Sequence, residues 1–173
     1  MSELTHKLGP DEKTTQVLIG TSDTLIWGNL VTKQSVRTSV FLNTLAEDFV
    51  PLYDTKVLFL TPTQQVTPME RPSLFVKLEE ILLFFAMNDP EPLPEQTETR
   101  QYTPIEAIAG SYQIEGKLLK PPMSTLQNML LVSRAVYLPI YEATIRHVAK
   151  PWLGTISARL VEVRRSRLMI VPR

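Results

Sequence analysis

The stretch LIWGNLVTKQSVRTSVFLNTLAEDFVPLYDTKV, residues 25–57, recurs without a gap as QIEGKLLKPPMSTLQNMLLVSRAVYLPIYEATI, residues 113–145. At this offset of 88 positions, Gly28 and Pro51 match Gly116 and Pro139. The further identities at this offset are Ile26, Leu30, Leu42 and Tyr53. The retained residues are those that build a core or a turn, so we interpret the chain as two diverged copies of one small fold.

Each copy has the pattern of a mainly β unit that contains one short helix. Residues 24–31 alternate apolar side chains between two faces, and residues 49–60 follow as a longer strand. Between these strands the apolar spacing becomes helical, and Ser124 is the expected helix cap of the second copy. Gly28 and Gly116 lie inside their strands, which predicts a bulge or a close backbone approach at each glycine.

Two further strands complete each copy. Residues 73–78 and 81–87 are expected to pair with each other, and residues 155–163 and 167–171 are expected to do the same around a turn at residues 164–167. A flat sheet of this size would leave one face and two edges bare. Each lobe is therefore predicted to be a small curved sheet or semi-open barrel.

The predicted domain organisation has four segments. Residues 1–16 carry no apolar period and are expected to form a flexible N-terminal arm. Residues 88–104 are rich in proline and glutamate, which predicts a stiff, solvated linker. Residues 17–87 and 105–173 are then the two β lobes.

The composition argues against several classes of protein. The chain has no cysteine, which excludes disulfides and thiolate sites, and no apolar run approaches the length of a membrane span. The N-terminus has no apolar signal segment, so a cytoplasmic location is expected. His6 and His147 are the only histidines, and no catalytic motif or phosphate-binding glycine loop surrounds them. We therefore expect neither an enzyme nor a bound cofactor or metal.

The net charge of zero conceals an asymmetry between the copies. Residues 1–104 contain 8 Lys/Arg against 14 Asp/Glu, a balance of −6, whereas residues 105–173 contain 10 against 4, a balance of +6. Oppositely charged lobes can attract each other, stack between molecules, or offer a basic surface to an acidic partner.

The segment RTSVFLN at residues 37–43, followed by FVPLYD at residues 49–54, resembles the pattern of an uncharacterised bacterial domain family. That pattern runs G-x-L, R-L-S-D-x-L-N, F-x-x-L-x-D-A and then a strand pair. The first copy departs from it at Val40, where the family has an acid, and the second copy keeps only the hydrophobic frame. The resemblance implies a fold unit in two tandem copies and carries no function.

A polar set in the first copy is the strongest candidate for a site, and it consists of Arg37, Ser39, Asn43 and Asp54. One interpretation is structural: Arg37 pairs with Asp54 or caps a carbonyl, while Ser39 and Asn43 satisfy the ends of the helix. The other is a small anion or ligand site, which the second copy lacks because Thr125 and Gln127 replace two members.

A basic cluster in the second copy is the second candidate, and its members are Arg146, Lys150, Arg159, Arg164, Arg165 and Arg167. The turn of the last hairpin is expected to present its arginines to water. From these features we predict a non-catalytic interaction or regulatory module that binds protein partners through oppositely charged lobes, self-association included. The alternative is binding of nucleic acid, a nucleotide or another anion by the basic lobe.

Overall fold

The computed structural model describes residues 6–60, 67–88 and 92–172, and within them the chain forms two units. The first unit comprises Met1–Glu91 and the second Pro92–Arg173. The division falls inside the predicted linker 88–104. Residues 89–91 of that linker and residues 1–5 of the predicted arm lie outside the described residues.

The first unit is an antiparallel sheet with the strand order β5-β1-β2-β3-β4. Its described elements, in chain order, are β1 (Glu12–Gly20), β2 (Thr24–Lys33), a 3₁₀ turn (Thr38–Val40), α1 (Phe41–Thr44), β3 (Phe49–Phe59), β4 (Met69–Lys77), a 3₁₀ turn (Leu78–Glu80) and β5 (Leu83–Ala86).

The second unit has the strand order β10-β6-β7-β8-β9, which is the same arrangement. The prediction of a mainly β protein with one short α-helix in each unit is confirmed. The described elements are β6 (Gln101–Ala109), β7 (Tyr112–Lys120), α2 (Leu126–Val132), β8 (Tyr137–His147), a 3₁₀ turn (Pro151–Leu153), β9 (Thr155–Arg164), a 3₁₀ turn (Arg165–Arg167) and β10 (Leu168–Pro172).

The last strand of each unit pairs with the first strand of that unit, not with its neighbour in sequence. The predicted pairing of residues 73–78 with 81–87 is therefore wrong, because β4 pairs with β3 and β5 pairs with β1. The predicted hairpin around residues 164–167 is wrong for the same reason, since β10 pairs with β6. In both units the 3₁₀ turn just before the last strand takes the chain from one edge of the sheet to the opposite edge.

This connection requires each sheet to be strongly rolled. In a flat sheet, four strand spacings of about 4.8 Å would separate β9 from β10, roughly 19 Å in all. The 3₁₀ turn Arg165–Arg167, at about 2 Å per residue, advances only about 6 Å. Among the described residues no ladder joins β9 to β10 or β4 to β5, so each rolled sheet remains open.

The first strand of each unit begins earlier than the apolar pattern indicates. β1 starts at Glu12, inside the predicted arm, and its ladder with β2 runs from Glu12 opposite Lys33. β6 starts at Gln101, inside the predicted linker, opposite Lys120 of β7. These polar residues join the sheet because backbone pairing needs no apolar side chain.

The two helices differ in how they begin and in what they bury. α1 has no side-chain cap and buries Phe41 and Leu42. α2 is capped by Thr125, whose Oγ1 accepts a hydrogen bond from the Asn128 N–H at 3.1 Å, so the predicted cap at Ser124 is one residue too early. Proline precedes this cap at residues 121 and 122 and cannot extend the helix. Neither α-helix has the length and apolar character needed to cross a bilayer, and the same holds for every helix in the described residues.

The core of each unit is formed by the inward face of the strands. In the first unit Val17 and Ile19 of β1 are fully buried, and Leu30 and Leu52 contribute from β2 and β3. Each fully buried side chain of this size contributes roughly 1.5–3 kcal/mol relative to an exposed one. Ala107, Ile114 and Ile140 occupy the corresponding inward face of the second unit, and all three are fully buried.

A β-bulge interrupts the β2–β3 ladder of the first unit and the β7–β8 ladder of the second unit. The pairing of β2 with β3 shifts register at Gly28, and that of β7 with β8 shifts at Gly116, as the strand glycines predict. Opposite these glycines, Asp54 and Glu142 have φ values of 49° and 48°, although neither is glycine. A residue in this left-handed conformation, with the extra residue of a bulge, bends the strand sharply.

The glycines are required because the bulge brings the two strands into close contact. A Cβ on Gly116 would lie 2.6 Å from Ile140 Cγ2 and 2.9 Å from the Tyr141 carbonyl oxygen. A Cβ on Gly28 would lie 2.9 Å from Thr55 Cγ2, a side-chain methyl. A methyl can move more easily than a backbone carbonyl, so the second unit has less tolerance at this position.

We expect Gly116→Ala to lower the free energy of unfolding by about 3 kcal/mol and Gly28→Ala by about 1–2 kcal/mol, because both overpack the bulge. Gly9→Ala is the matched control: its Cβ would meet no atom closer than 3.4 Å, and its effect should stay within about 0.5 kcal/mol. Urea denaturation followed by circular dichroism measures all three. A smaller loss for Gly116→Ala than for Gly28→Ala would contradict this account of the bulge.

Candidate functional site

The predicted polar set is divided between two parts of the first unit. Arg37 precedes the 3₁₀ turn, Ser39 lies within it, and Asn43 lies in α1. Asp54 belongs to β3, at the bulge. Arg37 and Asn43 are exposed, whereas Ser39 and Asp54 are half-buried. Three members thus lie along one helical segment, and the fourth lies in the sheet.

Asp54 takes part in a cross-strand contact that has a counterpart in the second unit. Its Oδ2 accepts a hydrogen bond from Asn29 Nδ2 at 3.4 Å. At the corresponding positions, the Lys117 ammonium forms an ion pair with Glu142. Both contacts span the bulge from a neighbouring strand. The counterpart in the second unit is also a polar pair at the same bend, and Asn29 is not the partner that the sequence predicts for Asp54, which was Arg37.

Two arginines of the predicted basic cluster are engaged within the second unit. Arg164 donates from Nη2 to Tyr137 Oη at 2.8 Å, and its guanidinium carbon lies 5.0 Å from the Tyr137 ring centroid. Arg165 donates from Nη1 to the Ser133 carbonyl and from Nη2 to the Leu130 carbonyl, both at 2.6 Å. The Arg165 fork therefore satisfies backbone carbonyls at the C-terminal end of α2, where a cation is favoured.

The remaining basic residues leave a smaller surface than the sequence predicts. Arg146, Arg159 and Arg167 are exposed, and Lys150 is half-buried. Arg167 ends the 3₁₀ turn that leads directly into β10. The expectation that the whole turn presents its charges to water does not hold for Arg165, which is half-buried against α2.

His147 is buried at the end of β8 and is only 6% exposed. Its ring stands edge-on to Tyr112 with the ring centroids 5.0 Å apart, and neither ring nitrogen has a hydrogen-bond partner within the described part of the chain. Burial lowers the pKa of the His147 imidazole, and the nearby Lys150 charge lowers that pKa further. Both effects favour the neutral form of the His147 imidazole in the folded unit.

An apolar patch on the first unit was not recognised from the sequence. The β3–β4 register places Pro51 opposite Phe75, with Phe49 two residues before Pro51 on the same face. Phe75 is 66% exposed and Phe49 is 47% exposed. Together with Glu47 these residues line an open groove of about 450 Å³. The available signal was Phe75 itself, a large aromatic residue at the outward position between Leu74 and Val76.

Acidic side chains border this patch. Glu47, Asp48, Glu79 and Glu80 are all exposed. The Leu78 N–H donates to the Asp48 carbonyl at 2.7 Å, which brings the segment before β3 next to the 3₁₀ turn after β4. We call the patch formed by Glu47, Phe49, Pro51 and Phe75 the aromatic patch, and these four carboxylates its acidic rim.

The comparisons add no assignment to these surfaces. No family model, curated protein or solved structure matches the chain. Within the described residues no group of three or more His, Cys, Asp or Glu side chains is placed to hold a metal ion. The resemblance to a bacterial domain family and the origin of the units by duplication stay predictions.

We expect Arg165→Ala to lower the free energy of unfolding by about 2 kcal/mol, because two charge-assisted hydrogen bonds to half-buried carbonyls are lost. Arg165→Lys should restore only part of this stability, since a single ammonium does not reproduce the two hydrogen bonds that the planar guanidinium donates. Arg167→Ala is the matched control on the exposed side of the same turn, and its effect should stay within about 0.5 kcal/mol. Equal losses for Arg165→Ala and Arg167→Ala would contradict the capping role.

The buried His147 predicts a dependence of stability on pH. Because its pKa is lower in the folded state, the unfolded chain binds more protons between the two pKa values, and the free energy of unfolding falls as the pH drops below about 6.5. His147→Phe, which introduces the aromatic residue found 88 positions earlier as Phe59, should flatten this dependence. Urea midpoints at about pH 7.5 and about pH 5.5 provide the comparison. If the difference between these two midpoints is the same in His147→Phe as in the unaltered chain, His147 is not the source of the pH dependence.

Proposed function

We propose that this chain is a non-catalytic protein-interaction module in the cytoplasm whose two units bind partners through surfaces of opposite charge. Binding of this kind needs exposed charges of one sign on each unit and an apolar contact that adds affinity. Steering by charge raises association rates and discriminates between partners, while the apolar contact holds the complex together.

The observation that carries the proposal is the charge difference between the two units. Residues 1–91 contain 7 Lys/Arg against 12 Asp/Glu, a balance of −5. Residues 92–173 contain 11 Lys/Arg against 6 Asp/Glu, a balance of +5. Two units that share a strand order thus carry opposite net charges, which supports separate roles in binding.

The exposed groups of each unit support the same conclusion. The first unit combines its acidic rim with the aromatic patch, and aromatic residues are enriched where protein interfaces form. The second unit exposes Arg146, Arg159 and Arg167. Exposed charges alone provide specificity and little affinity, so the aromatic patch is the expected source of binding energy.

Nucleic acid or another anion is the alternative ligand of the second unit. Phosphate binding scales with the number of cations that reach the backbone. Because Arg164 and Arg165 make contacts inside the unit, the cluster offers fewer cations than its sequence suggests. We therefore treat nucleic-acid binding as an outcome of the test and not as the favoured function.

Affinity capture from an extract of the source cells, quantified by mass spectrometry, tests the proposal. The Glu79→Lys/Glu80→Lys and Arg159→Glu/Arg167→Glu variants reverse two exposed charges on either unit. Each double variant should reduce the amount of captured protein about tenfold, since two exposed charges at an interface together contribute roughly 1.4 kcal/mol of binding free energy. Glu95→Lys, an exposed reversal in the segment before β6, is the control and should capture the same proteins as the unaltered chain.

The salt and nuclease arms separate the alternatives. Raising the salt from about 50 mM to about 500 mM should weaken capture by screening the charges, and nuclease treatment should leave it unchanged. Loss of all capture after nuclease treatment would establish the nucleic-acid alternative instead. Capture that neither charge reversal alters would show that charge is not the basis of binding.

A further inference from the structure

One edge of the first unit is formed by β4, which lies beside exposed aromatic rings. Within the described residues β4 pairs with β3 alone, so the backbone groups on its other side have no strand partner. Phe75 points outward from this strand and is 66% exposed. Natural sheets protect such edges with charges, prolines or covering segments, because an apolar edge recruits other strands. Pro72 protects the first half of β4, which leaves residues 73–77 as the available edge.

The outer edge of the second unit is also unpaired and apolar. β10 has the sequence LMIVP, carries no charge, and among the described residues pairs with β6 alone. Met169 is 60% exposed and Val171 is 52% exposed, and their spacing places both on one face. β10 is five residues long, as is the available part of β4 at residues 73–77.

Two of the positions in the second unit that correspond to the aromatic patch are buried. Pro139 pairs with Glu162 as Pro51 pairs with Phe75. Tyr137, which stands 88 positions after Phe49, is 0% exposed, and Glu162 is 1% exposed. The same place in a shared strand arrangement is therefore covered in one unit and open in the other. The exposed aromatic patch of the first unit has the composition of a surface that binds a partner.

The charges around the two edges are complementary. The acidic rim borders the aromatic patch next to β4, and it keeps a net negative charge although Lys77 forms an ion pair with Glu79. β10, by contrast, follows directly after the exposed Arg167. Pairing two β4 edges would bring two acidic rims together, and pairing two β10 edges would do the same with arginines. Contact between unlike edges is the combination that the charges favour.

We propose that a second copy of this chain is a partner, with the β10 edge of one chain extending the sheet of another at its β4 edge. This inference rests on the proposed interaction function and names one partner for it. Main-chain hydrogen bonds between the added strands supply affinity, and Met169 and Val171 cover the aromatic patch of the neighbour. Because each chain offers one edge of each kind, the contact is heterologous and continues head to tail into a ring or a series.

Two variants, each of which blocks one edge, test the arrangement on the purified chain of residues 1–173. Phe75→Asp introduces a charge into the aromatic patch, and Val171→Asp introduces a charge into the outward face of β10. Both positions are exposed, so circular dichroism should show both variants folded. Met123→Asp, at a residue that is 98% exposed and belongs to neither edge, is the control.

Multi-angle light scattering after size exclusion, at about 100 µM chain and about 50 mM salt, gives the expected result. The unaltered chain and Met123→Asp should form species larger than the 19.7 kDa chain, and each edge variant alone should be monomeric, with association weakened about 100-fold. An equimolar mixture of the two edge variants should form a dimer and nothing larger, because only one compatible pair of edges remains.

Three results would overturn this assembly. The first is an unaltered chain that is monomeric under these conditions. The second is association that Phe75→Asp abolishes while Val171→Asp leaves it intact, which would indicate symmetric pairing of β4 edges. The third is loss of association in Met123→Asp, which would place the contact elsewhere. A monomeric chain that still captures other proteins in a charge-dependent way would remove self-assembly and leave the interaction function standing.

Discussion

The structure depends on the close approach of two strands at a bulge that occurs once in each unit. Gly28 and Gly116 allow a neighbouring strand to come within a distance that a Cβ would occupy. Opposite them, Asp54 and Glu142 adopt a left-handed conformation that normally favours glycine. The strain at these two residues is offset by the packing of the rolled sheet around them. Without the bend, five antiparallel strands would lie flatter, and the short 3₁₀ turns could not join the fourth strand to the fifth.

The shared framework makes the differences between the units informative. The pair Asn29–Asp54 and the pair Lys117–Glu142 occupy the same place and differ in charge. The outward face of the β3–β4 ladder exposes aromatic rings, whereas its counterpart buries Tyr137 under Arg164. These differences leave the bulge and the strand order of the two units alike. Surface divergence on a common framework is the route by which two similar units can acquire different partners.

Features set by local sequence could be predicted, and features set by distant pairing could not. The bulges, the two long strands and the short helices follow from glycine placement and apolar spacing, which act over a few residues. The residues of β5 and β10 pair with residues 59 to 69 positions earlier in the chain, and nothing in the local pattern of either strand identifies these partners.

The candidate sites show the same limit. The sequence predicts Arg165 to be a surface charge. Its acceptors are the backbone carbonyls of residues 130 and 133, and backbone groups carry no sequence signature. Phe75 was overlooked because it lies in an apolar run, where the alternation that assigns it to the outward face is easily missed. Charge balance, by contrast, needs no structure, and the opposite charges of the two lobes were evident from composition alone.

The strand order also has a consequence for the synthesis of the chain. β1 can pair with β2 as soon as Lys33 has emerged from the ribosome, but its other neighbour is β5, which ends at Ala86. Until then, the apolar residues Val17, Leu18 and Ile19 have an open backbone edge on one side. The second unit repeats this order, since β6 pairs with β10, the last strand of that unit. Each unit therefore becomes complete only when its last strand has been translated, and premature termination within β5 or β10 leaves the first strand of that unit paired along one edge only.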